Sequence, residues 1–489
     1  MKTFQEYLDT TKEVGFIERV HRSMVYVKGL PNVRPGEIVL FETGQSGQVI
    51  SLSAEHVEVL LFTDPDVSVG TKVARTNENL QIRVGKELLG LTITPLGKPI
   101  TPKAYKKPSE ARLIDITPPS MVNRKNITRQ LETGVSWVDL VVPLGKGQRE
   151  LIVGDRKIGK TEFLLQVMQS AANKGLICVY AAIAKRKLDI MRAEEFVAEK
   201  NLTKNTIIVS SSASDPAGLI FVAPYTAMTI AEYFRDQGAD VLLILDDMTA
   251  HAKYYREITL LARRFPGRSS YPGDIFYVQS RLLERGGNFI VKGKEVSITC
   301  LPVAELVMGD MSGYIQTNLM AVTDGHILFD RDLYNQGRRP AINPFLSVTR
   351  VGHQTQSPLQ RDLSLELTSF LVHLESLREF MHFGAELSEA TKRTLSLGDQ
   401  VLALLEQGND TIIPLSINSA LLAAIWAGVW KNTKLSDLKV ALKEIIAAHS
   451  INKTFSGQVD NLVTSQKTFD SLVQAVKEDQ DLLLNIIKK

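Results

Sequence analysis

The sequence predicts a multidomain α/β protein in three parts: a leader and small N-terminal β-barrel over 1–77, an α/β domain over 78–356, and a helical domain over 357–489. Short β-branched runs cut by glycine and proline mark the first part. Near-continuous apolar runs alternating with amphipathic stretches mark the second, and apolar residues at three- and four-residue spacing mark the third.

Residues 1–13 read as a polar, partly helical leader. Met24–Val27, Glu37–Phe41 and His56–Phe62 are the clearest strands of the first part. Turn signals between them suggest a barrel, with a sandwich as the alternative. Ile177–Tyr180, Thr206–Ser210 and Val241–Leu245 are near-continuous apolar runs, as parallel strands covered on both faces require. Helices are expected over Leu363–Gln407, Ile417–Val429 and Leu435–Ala448.

Between the apolar run Leu151–Val153 and the helical spacing of Phe163, Leu164, Val167 and Met168 lies Gly154-Asp155-Arg156-Lys157-Ile158-Gly159-Lys160-Thr161. Strand, glycine loop and helix are the context in which G-x-x-x-x-G-K-T is a phosphate-binding loop. Glycines let backbone N–H groups turn inward, and the following helix N-terminus adds positive potential. Lys160 would reach the β- and γ-phosphates, and the Thr161 hydroxyl would ligate Mg²⁺. Without that context the tripeptide Gly159-Lys160-Thr161 would be an ordinary turn.

Of 489 residues, 44% are hydrophobic and 23% charged, as in an ordinary globular chain. A formal net charge of +3 offers no support for nucleic-acid binding. The two cysteines, Cys178 and Cys300, are far apart, which argues against a disulfide framework or a zinc site. The eight histidines show no ligand spacing. No run of about 18 apolar residues stands out, and the N-terminus lacks the character of a signal or transit peptide.

The apolar run Val241–Leu245 ends in Asp246-Asp247, and a carboxylate at a strand tip can hold the shell of Mg²⁺. Arg350, in Ser347-Val348-Thr349-Arg350-Val351-Gly352, reads by itself as a surface arginine in a salt bridge. Lys185-Arg186-Lys187 reads as a solvated basic face, since no aromatic residues interleave it.

Further stretches resemble one family, the α subunits of F-type ATP synthases. Gln148 to Arg156, Ala231 to Asp236, Arg263 to Asp274, Ser280 to Arg285, Tyr314 to Asn318 and Arg339 to Asn343 carry the resemblance, in one order from about Glu13 into the C-terminal helices. It implies a β-barrel, a RecA-like P-loop domain and a helical domain. It also implies α subunits alternating with β subunits in a hexameric ring around a γ shaft, with δ and b stator subunits as further partners. Nucleic acid is not among the expected partners. The chain would bind ATP or ADP with Mg²⁺ and serve ATP synthesis or hydrolysis coupled to H⁺ or Na⁺ translocation. It would lie on the cytoplasmic side of the cell membrane, peripheral, attached through the complex.

Residue by residue, the resemblance assigns nucleotide contacts to Gly154, Asp155, Arg156, Lys157, Ile158, Gly159, Lys160, Thr161, Arg339, Gln407 and Asn409, and the metal to Thr161 and Asp246. The β subunits use a glutamate in a G-E-R motif to polarise the attacking water. The matching stretch here is Ala182-Ile183-Ala184-Lys185-Arg186, where α subunits usually have I-G-Q-K. A lysine cannot take a proton from water, so this chain's own site is expected to be non-catalytic. The family's S-V-S-R-V-G motif lends an arginine to the neighbouring β site, which makes Arg350 an arginine finger acting in trans. Lys157 and Ile158 stand where the α loop has Gln and Thr, and Gln407-Gly408-Asn409 stands where it has Q-G-Q. The leader is shorter than the usual α leader, which docks a stator subunit. The competing readings are a hexameric Rho-like nucleic-acid motor, opposed by the near-neutral charge, and the catalytic subunit of a related export or vacuolar ATPase, opposed by Lys185.

Overall fold

The computed structural model describes residues 3–64, 66–100, 105–381 and 388–487. The stretch 382–387, inside the helical run expected over 363–407, lies outside the described residues, as do 1–2 of the leader and 488–489. Two units divide the chain. One is Met1–Asn126, Gly147–Val153 and Ala172–Asp324; the other is Ile127–Lys146, Gly154–Ala171 and Gly325–Lys489.

In the first unit, β1 (Val14–His21), β2 (Met24–Lys28), β3 (Glu37–Phe41), β4 (Ser46–Leu52), β5 (Val57–Leu61) and β6 (Lys72–Asn79) close in the order β1-β2-β5-β4-β3-β6. Val14 of β1 stands opposite Ala74 of β6, so the sheet meets itself and the sandwich alternative falls. Closure removes the exposed strand edges that an open sheet would present. Successive side chains point to opposite faces of a strand, and both faces are used here. Val25, Val27, Val59, Leu61, Val39 and Phe41 fill the barrel interior. Met24, Tyr26 and Leu60 instead pack outward against Ala217 and Ile258 of two helices, Ala217–Asp236 and Met248–Leu261, and against Ala262, which caps the second. That second contact explains why β2 and β5 are apolar beyond simple alternation. A leader helix, Phe4–Thr11, sets Tyr7 against Leu40 and Ala74.

The same unit holds a parallel sheet in the order Glu150–Gly154, Lys294–Glu305, Val241–Asp246, Ile177–Lys185, Thr206–Ser212, Thr92–Ile93, with Gly287–Val291 folded back antiparallel on Lys294–Glu305. Val241–Asp246 and Ile177–Lys185 run parallel with Ala182 opposite Asp246. Their carboxyl ends therefore emerge at one edge, where open α/β sheets carry their ligands. Helix Ala217–Asp236 reaches a mean hydropathy of 1.2, long and apolar enough to cross a bilayer by composition, yet 83% of that window is buried inside the protein. It is apolar because sheet and barrel cover it.

The second unit contains helix Lys160–Asn173 and a strand pair, Gly325–Phe329 with Val348–Thr349. Its C-terminal helices begin at Pro358, and the expected run 363–407 resolves into Pro358–Met381 and Glu389–Leu405. Leu415–Trp426 is buried almost all round, and Trp426 packs edge-on against Phe370 and Phe469 at 4.9 and 5.4 Å. A helix apolar on every face has to lie inside a core.

Candidate functional site

The loop Gly154–Thr161 leaves its strand and enters Lys160–Asn173 as the sequence predicts. Gly159 has φ +94°, and no atom stands within 4 Å of where its Cβ would be, so backbone conformation rather than space requires glycine. Ile158 is buried and Arg156 and Lys157 are exposed. Lys160 is buried, and its Nζ donates to the carbonyl of Gly154 at 2.6 Å and to that of Asp155. Asp155 lies 3.9 Å from the Arg331 guanidinium. Phe163 and Phe329, ring centroids 5.4 Å apart, fix the helix beneath the loop. Thr161, half-buried, stands in the first turn. A buried ammonium and a helix N-terminus on one glycine loop suit a polyphosphate.

Arg339 and Gln407 meet through the backbone, the Gln407 N–H donating to the Arg339 carbonyl at 2.8 Å. The Gln407 side chain is buried and fully engaged. Its Nε2 donates to the carbonyls of Gly134 and Thr411, both at 2.6 Å, and its Oε1 accepts from the Ser136 N–H at 3.0 Å. The Arg339 guanidinium lies 3.6 Å from the Tyr334 ring centre, and Asn409 is exposed. A cavity of about 330 Å³ in this unit, lined by Trp137, Gln336, Arg338, Leu402, Glu406 and Lys439, contains none of the predicted residues.

In the first unit the strand tips form a second group. Ala184 takes φ +53°, a left-handed turn at the end of its strand. The next residue, Lys185, sets its ammonium 2.6 Å from Oδ1 of Asp246. The Tyr180 hydroxyl donates to Oδ2 of the same carboxylate at 2.7 Å. Asp246 is 1% exposed. Burial opposes the charge on Lys185, but Asp246 and Asp247 outweigh it and hold the ammonium above its ordinary pKa. Asp247 caps helix Met248–Leu261 by accepting from the N–H groups of Thr249 and Ala250, and burial pushes its carboxyl up to about 6 against the pull of Lys185. The sequence reading singled out Asp246 and Lys185 separately and missed their pairing. Tyr180 was missed altogether, since only the parallel register brings it to Asp246. Among the described residues no group of three or more His, Cys, Asp or Glu side chains could hold a metal ion. Both carboxylate oxygens of Asp246 are engaged, one by the Lys185 ammonium and one by the Tyr180 hydroxyl.

Arg350 follows the short strand Val348–Thr349 and is exposed. No carboxylate among the described residues pairs with it, so the plain salt-bridge reading is not what the structure contains. Its backbone is anchored on either side: the Thr349 hydroxyl donates to the Pro143 carbonyl at 3.0 Å and accepts from the Gly352 N–H at 3.0 Å.

Comparison with known proteins fits this arrangement. Residues 134–349 match the nucleotide-binding domain of the ATP synthase alpha/beta family, and residues 356–479 match its C-terminal domain. A protein described as ATP synthase subunit alpha, from Neorickettsia sennetsu, is 36% identical over 447 residues, covering 90% of this chain and 88% of its own. The chain belongs to the ATP synthase alpha/beta family. A second relative of the same description, from Rickettsia bellii, is 38% identical over 433 residues, 87% of this chain and 84% of its own. The closed barrel, the α/β nucleotide-binding domain and the helical domain from Pro358 onward are the layout of that family. Membership gives the domain over 134–349 its ligand class, a nucleotide.

Proposed function

We propose that this chain is the non-catalytic, alpha-type subunit of an F-type rotary ATP synthase/ATPase. It is divided as 1–77, 78–356 and 357–489, stands beside β subunits around a γ shaft, and is peripheral to the membrane whose ion flux the complex couples to ATP. Two relatives described as ATP synthase subunit alpha support the family side of this reading. Within it, Gly154–Thr161 carry the nucleotide phosphates, Arg339, Gln407 and Asn409 shape the far side of the nucleotide site, and Arg350 reaches the nucleotide of a neighbouring subunit.

One observation carries the non-catalytic role. At the strand tip where a catalytic subunit needs a carboxylate to take the proton of water, this chain has the Lys185 ammonium, already paired with Asp246 at 2.6 Å. A cation with no lone pair cannot act as a general base. The expected result is that the purified chain binds ATP, that Lys160→Ala weakens this binding at least tenfold, and that wild-type chain alone shows no turnover. Calorimetric titration with ATP and a steady-state phosphate-release assay check both. Robust turnover by the isolated chain, abolished by Lys160→Ala, would make it a catalytic subunit instead.

A further inference from the structure

The cavity of about 330 Å³ in the second unit lies at the lower end of the roughly 300–1,000 Å³ that small-molecule sites occupy. Trp137 reaches it from helix Ser136–Leu140, Leu402 from Glu389–Leu405 with Glu406 just beyond, and Lys439 from Leu435–Ile451. Gln336, Gly337 and Arg338 follow helix Arg331–Asn335. Their backbone is held in place. The Gly337 N–H donates to the Tyr334 carbonyl and the Arg338 N–H to the Leu333 carbonyl, both at 3.0 Å.

The charges on this wall do not balance. Lys439 and Glu406 satisfy each other at 2.5 Å. No carboxylate among the described residues pairs with Arg338, whose half-buried guanidinium stands 5.1 Å from the Trp137 ring centre. An indole face attracts a cation but gives the N–H donors of its fork no oxygen acceptor. Burial, with Arg378 nearby, holds the guanidinium below its ordinary pKa, and Glu375 and Asp330 oppose this without reaching ion-pair distance. The other unpartnered group on the wall is a donor as well. Trp137 is 2% exposed, and its indole N–H has no acceptor among the described residues. What this wall lacks is a negatively charged acceptor.

We infer that the cavity is a binding site for a small organic carboxylate, its carboxylate on Arg338 and its apolar body against Leu402. The planar fork of the guanidinium matches two carboxylate oxygens at once. Arg338 and Lys439 against Glu406 leave one positive charge over, which a monoanion balances. A phosphate ester would bring a second negative charge toward Glu406. The cavity is separate from the residues assigned to the nucleotide, since none of Gly154–Thr161, Arg339, Gln407 or Asn409 lines it. The Arg339 guanidinium is turned to the Tyr334 ring, and the Gln407 side chain is committed to Gly134, Thr411 and Ser136. The inference therefore does not depend on whether the glycine loop holds a nucleotide.

The full-length chain is titrated by calorimetry with 3-phenylpropionate and with 3-phenylpropylamine, a cation of similar shape. The expected Kd for the carboxylate is about 1 mM or tighter, within reach of so small a ligand. The amine is expected to bind at least about tenfold more weakly, and Arg338→Ala to weaken carboxylate binding by at least about tenfold, the usual worth of a charge-assisted pair. Saturating ATP should leave the carboxylate Kd within about twofold of its value without ATP, well under one decade of affinity. Absence of saturable carboxylate binding, equal binding of the amine, or unchanged affinity in Arg338→Ala overturns the inference. Displacement by ATP also overturns it, by making the cavity part of a nucleotide site. The comparison of acid and amine needs no substituted protein, so an Arg338→Ala chain that fails to fold does not spare the claim.

Discussion

Ala184 shows how one residue carries the cost of the strand-tip arrangement. Its φ of +53° lies in the left-handed region, which costs a residue with a Cβ roughly 1–2 kcal/mol. Glycine is the residue that takes this backbone conformation without steric cost. Ala184→Gly removes the steric cost and adds back roughly 0.5–1 kcal/mol of chain entropy, for a net gain of about 0.5–1 kcal/mol. A urea midpoint that moves upward without a change in slope is the expected outcome. A downward shift would mean that the left-handed turn is absent in solution. Lys185 was flagged in the sequence for its charge alone; its partner was not legible, because Asp246 lies on another strand.

At the scale of elements, the segment around Arg350 is held by side-chain-to-backbone contacts rather than by a long strand. Val348–Thr349 pairs with Gly325 and His326, and the Thr349 hydroxyl ties the turn to Pro143. Gly352 closes on the same place, where an added Cβ would overlap the Pro143 carbonyl oxygen. Gly352→Ala is therefore expected to destabilise by about 1–3 kcal/mol, the usual cost of overpacking a fixed contact. Thermal unfolding checks it, and an unchanged midpoint would show that the segment yields easily. Both bonds of the Thr349 hydroxyl, to the Pro143 carbonyl and from the Gly352 N–H, are ones that a serine hydroxyl could also make.

Two expectations concern the whole molecule. His251 is fully buried, its Nε2 donating to the Phe221 carbonyl at 3.2 Å and its ring stacked on Phe221 at 5.1 Å. Burial lowers its pKa from 6.5 to about 4. The unfolded chain thus takes up the proton first as pH falls. This contribution to stability is complete above about pH 6.5 and is lost progressively down to about pH 4. Near pH 5 the loss is about 2 kcal/mol, and His251→Phe should lose that much less between pH 7 and pH 5 in urea titrations. Equal losses in the two proteins would place the acid sensitivity elsewhere. In the assembled ring, Arg350→Lys is expected to cut ATP turnover by about 10³–10⁵, since a point charge does not reproduce the planar fork of a guanidinium at a phosphoryl group. Assembly, checked by gel filtration, should be unchanged. Turnover within about twofold of wild type, far short of that range, would make Arg350 a structural arginine.

What the sequence determined by itself was everything encoded in contiguous residues. The glycine loop from Gly154 to Thr161, the apolar strands ending at Asp246 and the helical periodicity after Pro358 were legible because backbone conformation follows from local spacing. The motif around Arg350 was legible in the same way, as a string. Tertiary structure alone decided the rest. Closure of β1 onto β6, the outward packing of Met24 and Tyr26 on two helices, and the Tyr180–Asp246–Lys185 cluster all depend on strand order and register. Neither is written in any one segment, because a strand's apolar pattern states which faces are buried and not which strand will lie beside it.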